Sequence, residues 1–314
     1  MSKSYGFLIA VCFIICGNAS GQNQQTAIDY LRFIDSKNEI IVESTWNYMY
    51  LITHETDGNK HQVALKKLEK DILKSIRMIE QRDAYDDVFK NEALAYLNGN
   101  LYLIKGDIKN LLKNTVTNSP VVAPEKIRRK IRVAIRSLRS NYDDAVKAFA
   151  TRYDLKVDEN QSDLALQMQH TIEVYDYHYE LRSRVNQIKS AERDLWQDFQ
   201  NQSMESFENK RNHLKNTITD QVQEIRQLKS IFTNDDVTNA FITFTNFYGS
   251  EFDTKLSKVT PVLELDSYSS SKRSQVIKEF NTVKDWFNSN RVEAYDYINE
   301  SLQVFLRREI TALD

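Results

Sequence analysis

Residues 164–199, LALQMQHTIEVYDYHYELRSRVNQIKSAERDLWQDF, decide the fold. Leu164, Met168, Thr171, Tyr175, His178, Leu181, Val185, Ile188, Ala191, Leu195 and Phe199 recur every three or four residues, with only Thr171 and His178 polar among them. That spacing is the signature of one helix face, and the charged residues between them fall on the other. The same reading holds upstream. Leu65, Leu68, Ile72, Ile76 and Ile79 form one stripe, and Ile127, Ile131, Ile135, Leu138, Tyr142, Ala145, Phe149 and Tyr153 form another. Such stripes bury one side of a helix and leave the opposite side in water.

The punctuation between stripes is sparse. Asp57-Gly58-Asn59 separates a helix over about 24–55 from one over about 60–82. Asp86-Asp87 before Val88 reads as a helix N-cap, opening a third helix toward residue 113. Pro120 interrupts the chain, and Pro124 suits the first turn of a fourth helix, where a missing N–H costs nothing. The expected fold is all-α, with two tandem, internally duplicated antiparallel helical bundles of about four helices each.

The duplication rests on landmarks repeated in the same order. Trp46 and Trp196 stand 150 residues apart, as do Ile72 and Val222, and Asp86-Asp87-Val88 recurs as Asp235-Asp236-Val237. Gly106 precedes Val116-Thr117 and Pro120-Val121, as Gly249 precedes Val259-Thr260 and Pro261-Val262. The Ser-rich stretch Ser267 to Ser274 is expected to be a longer loop that restores the offset by Ala145 and Ala294. The expected division is a signal peptide over 1–21, a first bundle over 22–157 and a second over 158–314, with the boundary in Lys156 to Ser162.

At the N-terminus, Lys3 precedes a ten-residue apolar run from Phe7 to Cys16, followed by Ala19-Ser20-Gly21. This is the pattern of a secretory signal peptide, and the run is too short to span a bilayer. Lipidation of Cys16 is the competing reading, opposed by Ile15 where a small residue is usual. Export, to a periplasmic or cell-surface location, is therefore expected. Cleavage removes both cysteines and leaves four glycines, Gly58, Gly99, Gly106 and Gly249. Phosphate loops, nucleophile elbows and tight β-turns all depend on glycine, and thiolate chemistry depends on cysteine. Dinucleotide folds, P-loops, α/β-hydrolases and zinc-thiolate sites are thus poor fits.

Without Lys3 the chain holds 41 basic residues against 44 acidic ones, a balance that argues against nucleic acid as the main partner. The positive charge is nevertheless uneven. Lys126, Arg128, Arg129, Lys130, Arg132, Arg136 and Arg139 crowd the opening of the fourth helix, where cations oppose the helix dipole. They are candidate contacts for an anionic cell-envelope polymer, a lipid headgroup or an acidic protein. The competing reading is a solvated face paired with acids of neighbouring helices.

His170 and Glu173 lie one turn apart and are candidate metal ligands. Di-iron bundles need Glu-x-x-His pairs, which none of the five histidines has, and no cofactor is expected. His54 and His61 flank the Asp57-Gly58 turn and form a second, weaker candidate. Tyr175, Tyr177 and Tyr179 around His178 read as packing residues, with a ligand-stacking face as the alternative. No serine sits in a glycine-flanked turn that would lift its hydroxyl toward a histidine, and no carboxylate pair for glycoside cleavage stands out. The expected role is a non-enzymatic binding or structural module at the cell envelope. A metal or small-ligand binder, and a hydrolase with an unrecognised site, are the alternatives. Long amphipathic helices can also pack between chains, which leaves oligomerisation open.

The short signal segment, the opening helix around Ala27-Ile28-Asp29-Tyr30-Leu31 with Trp46 further along, and the long cysteine-free charged helices together carry a resemblance. The chain is similar over its whole length to uncharacterised secreted helical proteins of Gram-negative bacteria, most closely a spirochaete and Bacteroidota family of surface proteins. The resemblance implies a periplasmic or surface location and carries over no catalytic residues.

Overall fold

The apolar stripes become helices that bury those stripes against one another. The structure, a computed structural model, describes residues 21–109, 124–156, 162–197, 199, 203–227 and 236–312. Among these the chain is all-α. The helices are α1 (Gly21–His54), α2 (Gly58–Gln81), α3 (Asp87–Leu103), α4 (Pro124–Arg152), α5 (Asp163–Trp196), α6 (Met204–Gln227), α7 (Asp236–Asn246), α8 (Ser250–Val259) and α9 (Ser270–Glu309). A π-helical turn, Ile104–Ile108, continues α3, and a 3-10 segment, Thr260–Ser267, follows α8. No described helix is long and apolar enough to cross a membrane. The expected signal segment lies outside the described residues except for Gly21, at which the described part of α1 begins.

Helix starts follow the capping chemistry. Asp57 caps α2 by accepting the Asn59 N–H at 2.8 Å, and Asp86 caps α3 by accepting the Phe89 N–H at 2.9 Å. Asp86 does more than cap. Although buried, it also accepts hydrogen bonds from the Arg152 guanidinium and, at 3.1 Å, from the Tyr153 hydroxyl, so the end of α4 is tied to the start of α3. Burial alone would raise its pKa; the bonds from Phe89, Arg152 and Tyr153 outweigh that and hold the carboxyl below its ordinary range.

The chain divides into two compact units. In the first, α1 packs on α2, α2 on α3, and α3 on α4. Leu65, Leu68, Ile72, Ile76 and Ile79 of α2 are all buried in its core with Leu31, Ile34, Phe89 and Phe149. At Gly99 the α3 backbone lies against a side chain of α4: a Cβ there would stand 2.4 Å from Leu138 Cδ2. In the second unit α9 packs on α7 and α8, and α6 on α7. Its core is rich in aromatic contacts, with Trp196 5.0 Å from Phe287 and Phe244 5.0 Å from Tyr295. Of the stripe over 164–199, all but Leu164 and Tyr175 are buried.

Four expectations require correction. The units divide between Glu173 and Val174, inside α5, rather than in Lys156 to Ser162, and the first unit also takes in Ile310 and Thr311. The cause is packing: Ala165 and Met168 of α5 bury against Trp46, and Gln167 donates to the Thr311 carbonyl at 2.9 Å. Ile135, placed on the α4 stripe by spacing, is exposed, while Val146 is buried. The smaller offset between Gly106 and Gly249 predicts a third helix that is shorter in the second half; instead that helix is broken at Gly249, which caps α8. The Ser-rich stretch is chiefly the first turn of α9, with Tyr268 and Ser269 alone as connector.

The two aspartate caps give a graded test. Asp57→Ala removes an exposed cap and should cost about 1 kcal/mol. Asp86→Ala removes a cap and the partners of Arg152 and Tyr153, and should cost about 3 kcal/mol, read from urea unfolding at pH 7. Because the Asp86 pKa is depressed in the fold, this advantage is complete above the unfolded carboxyl pKa and fades as the pH falls below about 4.

Candidate binding face and interhelical cleft of the fourth helix

The basic run occupies the N-terminal half of α4. Lys126 and Arg128 lie on its first turns, and their side chains fall outside the described residues. Arg129, Lys130 and Arg136 are exposed, while Arg132 and Arg139 are half-buried on the flank. Spacings of four, three and four residues put Arg129, Val133, Arg136 and Ser140 on one outward stripe, and Val133 is 61% exposed there. Part of the charge is met locally. Lys130 Nζ lies 2.9 Å from Asp107 Oδ2 in the π-helical turn, and Arg139 Nε lies 3.7 Å from Asp143 Oδ2. Arg132 and Arg136 also have interaction partners.

Arg139 turns from this face toward a cleft that sequence reasoning did not anticipate. Asn38 and Val42 of α1, Tyr96 of α3, and Arg139, Tyr142, Asp143 and Val146 of α4 line it, and its free volume is about 20 Å³. The Tyr96 and Tyr142 rings stack there at 4.8 Å. Burial pushes the Asp143 carboxyl up to about 6, against the pull of Arg139 and Lys147 and with a further push from Asp144. Burial also raises the Tyr142 phenol well above its ordinary value, with Asp35, Tyr96 and Asp143 adding to the effect, so the hydroxyl stays neutral.

The other candidates are placed as follows. His170 and Glu173 are both half-buried on α5, and Glu173 Oε1 accepts a hydrogen bond from Gln169 Nε2 at 3.2 Å. Among the described residues no three His, Cys, Asp or Glu side chains gather as a metal-binding group would. His54 Nε2 donates to the Ile310 carbonyl at 2.6 Å and stacks on Tyr50, while His61 Nε2 donates to the Glu55 carbonyl at 2.9 Å. Tyr177 and His178 are buried, and the Tyr177 hydroxyl lies 3.1 Å from that of Thr238.

Two polar constellations were not singled out from sequence. Ser44 Oγ donates to Asp71 Oδ2 at 2.5 Å, and Lys67 Nζ donates to Ser44 Oγ at 3.1 Å, a Ser-Lys-Asp grouping. Ser44 is 3% exposed between α1 and α2, so it acts as a crosslink; a substrate carbonyl could reach it only if the helices parted. In the second unit Glu192 is 1% exposed yet fully engaged. Tyr248 and Tyr295 donate to its Oε2 at 2.5 and 3.1 Å, and Arg291 donates to Oε1 at 3.0 Å. The available signal was position: Glu192 lies four residues after Ile188 and three before Leu195, within the apolar stripe.

No protein-family model, curated protein or solved structure matches this chain.

Asp143 supplies a pH test. Its pKa is raised in the fold, so the native state holds a proton that the unfolded chain releases between about pH 4 and 6, and stability declines as the pH rises through that window. At pH 7 the charged carboxylate should cost about 3 kcal/mol. Asp143→Asn should therefore raise the unfolding midpoint at pH 7 and leave it nearly unchanged at pH 4.

Proposed function

We propose that this chain is exported and serves, without catalysing a reaction, as a helical binding module at the cell envelope, with the outward face of α4 as its contact surface. The observation that carries this reading is the exposed Arg129, Val133, Arg136 and Ser140 stripe, flanked by exposed Lys130. Cations on one helix face, in a protein whose total charge is nearly balanced, attract a polyanion locally without general stickiness. An anionic envelope polymer fits this face better than a lipid surface, because Val133 and Ile135 are its only exposed large apolar side chains among the described residues and lipid insertion needs a broad apolar face.

The two-bundle organisation belongs to the same proposal. We infer that the halves descend from one duplicated unit, and the shared order of sequence landmarks supports it. Gly106 and Gly249 both mark irregularities in the third helical segment, a π-helical turn in one half and a break in the other.

The test is elution of the mature chain from a polyanionic matrix in a salt gradient. Wild type should be retained and leave early only at raised salt, and Arg129→Gln with Arg132→Gln and Arg136→Gln should elute near the void volume. Equal elution of the two proteins would overturn the assignment of this face. Binding to anionic vesicles but not to the matrix would shift it to lipid headgroups.

A further inference from the structure

Among the residues that line the cleft between α1, α3 and α4, Tyr142 and Asn38 each carry a buried polar atom, Oη and Oδ1, without a protein hydrogen-bond partner among the described residues. Tyr142 is 6% exposed, so bulk water does not reach its hydroxyl. A buried hydroxyl left unmet is strongly unfavourable, and two such atoms bordering one small space are seldom coincidence. The space is about 20 Å³, enough for one water-sized molecule and too small for a sugar, nucleotide or amino acid.

The chemistry of the lining selects the occupant. Asn38 Oδ1 and the Asp143 carboxyl accept hydrogen bonds, while the Tyr142 hydroxyl needs an acceptor for its own proton. The occupant must therefore donate twice and accept at least once. Ammonium cannot accept, and the Arg139 guanidinium beside the cleft opposes any cation. We propose that the cleft is an integral site for a single water molecule, which donates to Asn38 Oδ1 and Asp143 and accepts from the Tyr142 hydroxyl. Three partners is the usual complement of a buried structural water. The molecule joins α1 to α4, each of which packs chiefly on another helix, α1 on α2 and α4 on α3. It also gives the half-buried Asp143 a hydrogen-bond partner whether or not the acid is ionised.

The sign of one substitution tests this on the full chain. If water bridges the hydroxyl, Tyr142→Phe strands that water and lowers the thermal midpoint by roughly 2–4 °C. If nothing bridges it, the same change removes an unmet polar group and leaves the midpoint unchanged or higher. A second measurement does not depend on stability: a high-resolution crystal structure of the wild-type chain should show a peak about 2.7–3.2 Å from Tyr142 Oη and Asn38 Oδ1. The absence of that peak, or an unchanged or raised midpoint in Tyr142→Phe, overturns the proposal.

Discussion

Each long helix of this protein carries an apolar stripe that water cannot accommodate, and pairing those stripes is the constraint on which the rest depends. A single amphipathic helix of this charge density has no reason to persist alone, because most helix stability in proteins comes from packing. Leu65, Leu68, Ile72, Ile76 and Ile79 show the effect in one helix: all are buried, and complete burial of such a side chain is worth about 1.5–3 kcal/mol. Caps and turns then set where each helix starts and stops. Asp57 and Asp86 do this with one carboxylate each, at helix starts where backbone N–H groups would otherwise lack partners.

Within that apolar framework, three acids differ in the donors that packing brings to them. Asp86 and Glu192 are almost completely removed from water, but each is surrounded by donors: a backbone N–H, an arginine and a tyrosine for the first, an arginine and two tyrosines for the second. For Asp86, hydrogen bonds to the charged form outweigh its desolvation. Asp143 is less buried, yet its nearest cation is Arg139 at 3.7 Å, beyond hydrogen-bond range, and there desolvation prevails. Asp86 and Asp143 thus differ in how many donors reach the carboxylate.

The proposed duplication gives this contrast a further aspect. In the register set by Trp46 and Trp196, Val42 of α1 corresponds to Glu192 of α5; in that set by Ala145 and Ala294, Val146 corresponds to Tyr295. On that reading, the level of the core that one half fills with an engaged glutamate is, in the other, a small cleft between two valines. Much of this could be read beforehand. The helical class, the Asp57 and Asp86 caps, Pro124 at the head of α4 and the exposure of Arg129, Lys130 and Arg136 all follow from local pattern. The exposure of Ile135 does not, since spacing locates a residue on a stripe but does not reveal how far a neighbouring helix extends to cover it. The role of Gly99 was equally hidden, because it depends on Leu138 of another helix.

Periodicity of 3.6 residues is a property of the chain with itself, and so the sequence alone determined that the protein is all-α, where several helices begin, and which cations share the exposed side of α4. Partnership between helices is not local. That Asp86 meets Arg152, that Glu192 gathers Tyr248, Arg291 and Tyr295, that Asn38 and Tyr142 border one cleft, and that the units divide inside α5 were all decided by tertiary packing. Residues far apart in the chain reach hydrogen-bond distance only after the stripes have chosen their neighbours, and the energy of each polar contact depends on the burial that this choice creates.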